Sequence, residues 1–147
     1  MRVLVQEAPF DLAEETARFA KGEGGSGAIV TFTGVVRDND AGTLSAMEIE
    51  HYPGMTEKAL SDIAQQAVTR FDLQDALVIH RHGRLVPGEQ IMMVATAARH
   101  RRSAFEAAEF LMDYLKSRAP FWKREITSEG EAWVAAKDED EAALNRW

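Results

Sequence analysis

The chain has no cysteine. That excludes disulfides, thiol catalysis, zinc–thiolate sites and iron–sulfur clusters. It is compatible with the cytoplasm, the expected location. An excess of positive charge is also lacking: 17 Lys and Arg stand against 24 Asp and Glu, a formal net charge of −7. A general nucleic-acid binder normally carries a basic balance or face, so no nucleic-acid partner is expected. No apolar run is long enough to span a bilayer, so no membrane partner is expected either. The start, Met1 to Gln6 and then Glu7 and Pro9, lacks the pattern of a signal peptide. Internal repeats, low-complexity tracts and domain linkers are absent.

What is present suits one compact domain over residues 1–147. The 46% hydrophobic and 28% charged composition is ordinary for a globular protein. Arg2 to Val5 reads as a first strand. Asp11 with Glu14 three residues on reads as a capping box, opening a helix with Leu12, Thr16, Phe19 and Ala20 on its apolar face. The four glycines between Gly22 and Gly27 end it in a turn. Gly27 to Arg37 is β-branched and apolar on both faces, which predicts a strand inside a sheet. Leu44 to Tyr52 predicts a strand with one wet face, because Glu48 and Glu50 alternate with Met47 and Ile49. Thr56 is placed to cap a helix reaching Phe71. Ala76 to Arg81 is a strand, Gly83 to Gly88 a turn around Pro87, and Gln90 to Ala98 a deeply apolar strand. Ser103 with Glu106 reads as a second capping box, opening a helix to about Arg118 with Ala107, Ala108, Leu111, Met112 and Leu115 inward. Phe121 to Ile126 returns as a strand, Glu131 to Lys137 as a short one, and Asp138 or Asp140 caps a last helix. This order predicts an α+β fold, with helices against a mixed or largely antiparallel sheet.

The basic residues are concentrated. His80, Arg81, His82 and Arg84 form one group, Arg99 to Arg102 a second, and Lys116 to Arg124 a third. On an acidic chain, such clusters suggest a local anion site. Arg37 leaves a strand into a turn-rich loop, where it either binds an anion or pairs with Asp38 or Asp40. His100 and Arg101 precede a helix N-terminus, which favours phosphate or carboxylate. Lys116 and Lys123 flank Pro120, and a lysine among apolar groups and other cations becomes a candidate base or nucleophile. Taken alone, the segment reads better as a solvated helix end, where Lys and Arg complement the helix dipole. Lys116 stands more than three turns from His100 and Arg101 on one helix. Neighbouring strands, or a second copy of the chain, must unite the two groups if one ligand uses both. His80 and His82 share a spacing zinc can use, but no third ligand stands out, and no metal or cofactor is expected.

Four long words carry a resemblance: Thr31 to Arg37, Glu50 to Leu60, His100 to Ala107, and Tyr114 to Glu125. In this order they closely resemble the MoaE family, the large catalytic subunits of molybdopterin synthase. The resemblance implies an α/β hammerhead fold and a sulfurtransferase. Such enzymes convert cyclic pyranopterin monophosphate (precursor Z) to molybdopterin by inserting two sulfur atoms. The sulfur comes as a thiocarboxylate on the C-terminal Gly-Gly of a small ubiquitin-like subunit. Two large and two small subunits form a heterotetramer around a homodimer. By this resemblance Lys116 and Lys123 are catalytic. Arg37, His100, Arg101, Arg124 and Glu125 bind substrate together with both lysines, and Lys137 is a further basic group near the pocket, reaching in from a second protomer. The alternative is a non-catalytic dimeric module that captures an anionic metabolite or a peptide tail.

Overall fold

A computed structural model describes residues 1–21 and 24–147, and of Ala20 the backbone alone. The expected glycine turn therefore falls partly outside the described residues, at Gly22 and Glu23. The elements in order are β1 (Arg2–Gln6), α1 (Leu12–Ala20), β2 (Ala28–Val35), β3 (Leu44–His51), α2 (Met55–Phe71), β4 (Asp75–Arg81), β5 (Gly83–Leu85), β6 (Gln90–Ala98), α3 (Arg101–Ser117), β7 (Phe121–Thr127), β8 (Gly130–Trp133) and α4 (Asp138–Ala143). A 3-10 turn, Leu144–Arg146, follows.

The α+β class is as expected, but the strands divide into two sheets. One runs β1-β4-β6-β2 and is mixed, with β1 parallel to β4; the other runs β5-β3-β7-β8 and is antiparallel. In the first sheet β4 and β6 lie at the centre and are buried on both faces. Helices α2 and α3 cover one face, where Leu60, Ile63, Ala107 and Leu111 meet Val78 and Val94. Helix α1 covers the other, where Leu12 and Phe19 meet Leu77, Ile79, Met93 and Ala95. Leu111 is fully buried, and truncating it to alanine costs about 2–5 kcal/mol.

The structure corrects several expectations. Strand β2 lies at the edge of its sheet, not inside it. Its apolar outer residues are left in water: Ile29 is 41%, Phe32 43% and Val35 52% exposed. The segment expected as a plain turn after Arg81 contains β5, whose Gly83 has φ +91, a value that favours glycine. Helix α3 starts before the predicted capping box: His100 is its N-cap, and Glu106 pairs with Arg102 at 2.8 Å instead. Strand β8 stops at Trp133, and Lys137 rather than an aspartate precedes α4.

Thr56 is not a cap either. It lies inside α2, fully buried; its Oγ1 accepts the Tyr52 N–H at 2.9 Å and donates to the Pro120 carbonyl at 3.1 Å. The cap is Gly54, whose N–H donates to Glu57 at 2.6 Å. Thr56 thereby ties the start of β7 to α2. Thr96 performs the same service for α3, donating from near the end of β6 to the Ala104 carbonyl at 2.7 Å. These two buried hydroxyls fix the elements that carry the lysines.

Candidate functional site

Lys116 leaves the last turn of α3 and is exposed. Lys123 sits on β7, partly buried. Alternation along β7 puts Phe121, Lys123 and Glu125 on the face of Met47, Ile49 and His51, which turns inward. Both lysines line a cavity of about 160 Å³, together with His80, Phe121, Lys137 and Asp140. A second cavity, about 110 Å³, shares His80, Lys116 and Lys123 and continues over Phe32, Val35, Met92 and Met112. The lysines thus stand between a polar chamber and an apolar one.

The polar chamber is roofed by residues 134–137. Val134 N–H donates to the Lys123 carbonyl at 2.8 Å, and this contact extends the pairing beyond β8. The segment that follows is fastened to α3. Arg118 binds Glu141 through both terminal nitrogens at 2.8 and 2.7 Å. Arg146 reaches Glu109 at 3.0 Å and Asp113 at 2.7 Å, and the Trp147 indole N–H donates to Asp113 at 2.7 Å. The Trp147 ring meets Phe71 and Phe110 edge-on. Through this fastening Lys137 and Asp140 reach the cavity of their own chain. A second protomer is not needed to bring Lys137 there.

The electrostatics follow from the geometry. Burial first, and then the neighbouring Lys116 charge, lower the Lys123 ammonium from 10.5 to about 8, and Lys137 adds to the effect against the opposing pull of Asp140. Lys123 is therefore neutral in a substantial fraction of molecules at mildly alkaline pH. His80 is lowered to about 3, above all by burial. It stays neutral at neutral pH and adds no charge to those of the three lysines and Asp140.

The other expected site residues lie elsewhere. Arg124 projects from the opposite face of β7. There it pairs with Glu48, reaches Glu131 at 3.2 Å and lies over the Trp133 ring at 5.3 Å. Glu125 shares the strand face of Lys123 without lining either cavity. Arg37 is exposed just past β2; Asp38 accepts the Leu44 N–H instead of pairing with it. His100 and Arg101 are exposed at the far end of α3, roughly 24 Å from Lys116 at 1.5 Å per residue. One chain therefore brings together Lys116, Lys123 and Lys137, and does not bring His100 or Arg101 to them. A larger open hollow of about 740 Å³ lies beside Arg70, Arg102 and Trp147. Two of its cations, Arg102 and Arg146, are already ion-paired.

Sequence reasoning missed His80 and Asp140 as cavity residues. The available signals were a histidine at the end of the apolar run of β4 and its place in the basic group with Arg81, His82 and Arg84. Nothing in the sequence places its ring against Phe121.

Comparison with known proteins bears on this site. A family model described as MoaE protein matches residues 5–118, a stretch that contains Lys116 and stops short of Lys123. The molybdopterin synthase catalytic subunit of Cereibacter sphaeroides is 69% identical over 147 residues, covering all of both chains. The molybdopterin biosynthesis MoaE protein of Burkholderia ambifaria superposes with a TM-score of 0.85 at 51% identity, over 99% of this chain and 97% of that one. A structure of the complex of subunits 1 and 2 of molybdopterin-converting factor from Helicobacter pylori shares the fold, with a TM-score of 0.75 at 18% identity, over 92% and 90% of the chains. With a family model over most of its length and a relative matched end to end, the chain belongs to the MoaE family, the catalytic subunits of molybdopterin synthase, and is an enzyme of molybdenum cofactor biosynthesis.

Proposed function

We propose that the lysine-lined cavity is where sulfur passes to cyclic pyranopterin monophosphate. The donor is the thiocarboxylate at the Gly-Gly end of a small ubiquitin-like partner. Each transfer forms one carbon–sulfur bond on the pterin and breaks the tail's own carbon–sulfur bond, and an oxygen from water takes the sulfur's place, so that the tail leaves as a carboxylate. The observation that carries this reading is one narrow chamber with three lysines, Lys116, Lys123 and Lys137, against the single carboxylate of Asp140, and with the Lys123 ammonium brought to about 8. An anionic tail suits the charge, and a small cavity of about 160 Å³ suits residues without side chains. The chain has no cysteine to carry sulfur itself, so the donor must come from outside. The Helicobacter pylori protein that shares this fold is itself found in a complex of two subunits, the arrangement this reading requires.

In this reading Lys116, at the mouth, meets the tail, and Lys123, deeper, assists proton transfer. Arg37, His100 and Arg101 hold the phosphorylated pterin. Glu125 and Arg124 support the strand that carries Lys123, with Arg124 fixed by Glu48. A second copy supplies His100 and Arg101. Strand β2 is an edge whose start lies beside the end of β6, next to those residues, and whose end lies beside Lys116's chamber. A two-fold, antiparallel apposition of two such edges would carry one chain's His100 and Arg101 toward the other chain's lysines.

The test is Lys116→Ala with thiocarboxylated partner and precursor Z. It is expected to fold, dimerise and form no molybdopterin; near wild-type turnover would overturn the assignment. Mixing inactive Lys116→Ala and Arg101→Ala chains tests the shared site. Random reassortment rebuilds about a quarter of the sites if the site is shared between protomers. No recovery after verified exchange would place both residues in one protomer's site.

A further inference from the structure

His80 is a buried titratable group that the reaction described above does not use. It is 5% exposed, at the end of β4, on the face that meets α3 and β7. Its ring stacks on Phe121 at 3.8 Å with 19° between planes. Its Nδ1 lies 2.7 Å from the Arg81 carbonyl. A carbonyl only accepts, so Nδ1 carries the hydrogen. The remaining nitrogen, Nε2, then holds a lone pair and no proton.

That lone pair has no hydrogen-bond partner among the described residues. It is not sealed off either: the buried side-chain atoms without a partner are Ser117 Oγ and Arg124 Nε. Nε2 therefore opens on the two cavities that His80 lines, where they meet between Lys116 and Lys123. Because burial holds the ring's acidity near 3, it presents an acceptor at every working pH. Two cations and one neutral acceptor, side by side, suit an anion that carries an N–H donor next to its charge. A glycine at the end of a peptide is such a group: its carboxyl or thiocarboxyl is one carbon from its amide N–H.

We propose that His80 is a binding residue for the partner's tail, its Nε2 accepting the N–H of the terminal glycine while the lysines hold the terminal anion. This rests on the tail entering the cavity, as in the proposed function. The bond orients the terminal carbonyl carbon toward Lys116 and excludes a terminal residue without an N–H, such as proline.

The experiment compares three forms of the small Gly-Gly-ended partner against the full chain: natural, with its last peptide bond replaced by an ester, and lacking its last two residues. Each is titrated by calorimetry onto wild type and His80→Phe, which keeps the stack on Phe121. The ester is expected to bind wild type roughly tenfold more weakly than the amide, the scale of one hydrogen bond, and His80→Phe to bind both alike. Equal binding of amide and ester to wild type, with truncation still harmful, overturns the role of His80 and leaves the tail in the cavity. Truncation without effect removes the tail from the cavity, and His80's role with it. A ¹⁵N measurement on wild type covers the case that His80→Phe does not fold. The Nε2 resonance of His80 must move when the amide tail binds and stay when the ester tail binds; the same response to both overturns the proposal.

Discussion

Replacing Lys123 by methionine should abolish sulfur transfer and, at the same time, make the protein more stable. Methionine matches the length of the lysine stem and is unbranched, so the packing under β7 is kept. What changes is the charge. In the folded chain the ammonium falls from 10.5 to about 8, first through burial and then through Lys116. At about 1.4 kcal/mol per pH unit, holding Lys123 protonated costs the fold about 3 kcal/mol at neutral pH. The sign follows from proton counting. Between about 8 and 10.5 the unfolded chain binds more protons than the folded one, so stability rises with pH across that window. The cost is present in full below the folded value and is gone above the unfolded one. For a chain of this length, about 3 kcal/mol corresponds to roughly 6–12 °C in Tm. Thermal unfolding of both proteins near neutral pH should show that gap, and it should close as pH is raised toward that of a free lysine. A Lys123→Met protein that melts at or below wild type near neutral pH, or a gap indifferent to pH, would refute the claim that this lysine is held under electrostatic strain.

Three further changes probe the surrounding structure. Arg37→Ala should weaken binding of precursor Z roughly 10- to 100-fold, the loss of one charge-assisted hydrogen bond; unchanged affinity by calorimetry would make Arg37 a bystander. Thr56→Val keeps the shape of a fully buried side chain but strips the Tyr52 N–H of its acceptor and the Pro120 carbonyl of its donor. It should cost about 1–3 kcal/mol in urea unfolding, and a neutral result would mean that water replaces the hydroxyl. Trp147→Ala should cost about 2 kcal/mol, less than for a fully buried indole. It should also lower turnover, because the same fastening carries Lys137 and Asp140 to the cavity; full activity would show that the roof is dispensable.

Much of the frame was legible in the sequence, for a physical reason. Strand β6 and helices α2 and α3 follow apolar periods long enough to announce themselves. Strand β5 has three residues inside a Gly- and Pro-containing turn, too short for any period to show. The placement of β2 was misread because an apolar strand at an edge looks like an apolar strand at a centre. Only long-range pairing with β6, and the absence of a neighbour beyond it among the described residues, separates the two. At the site, local chemistry alone left Lys116 as an ordinary helix end. The resemblance singled it out, and the cavity joined it to Lys123. Arg124 follows Lys123 in the same motif, yet strand alternation turns it to the opposite face, onto Glu48.

Helix α3 explains why this enzyme's chemistry and its assembly are difficult to separate. It is 17 residues of rigid rod, packed along β6 and pinned at its start by Thr96. His100 and Arg101 stand at one end and Lys116 at the other, and no side-chain motion spans roughly 24 Å. On the proposed reading a lone chain therefore holds two half-sites that cannot meet. Strand β2 runs between the same two regions, and its open edge leaves Ile29, Phe32 and Val35 in water. An apolar edge of this kind is a liability to an isolated chain. On the proposed reading a second copy covers it, and the contact that hides the edge also brings each chain's cations to the other's lysines. The charge balance points the same way. Burial and the Lys116 charge hold Lys123 under strain, and on the proposed reading an anionic tail relieves that strain and is drawn to the place where it is to react.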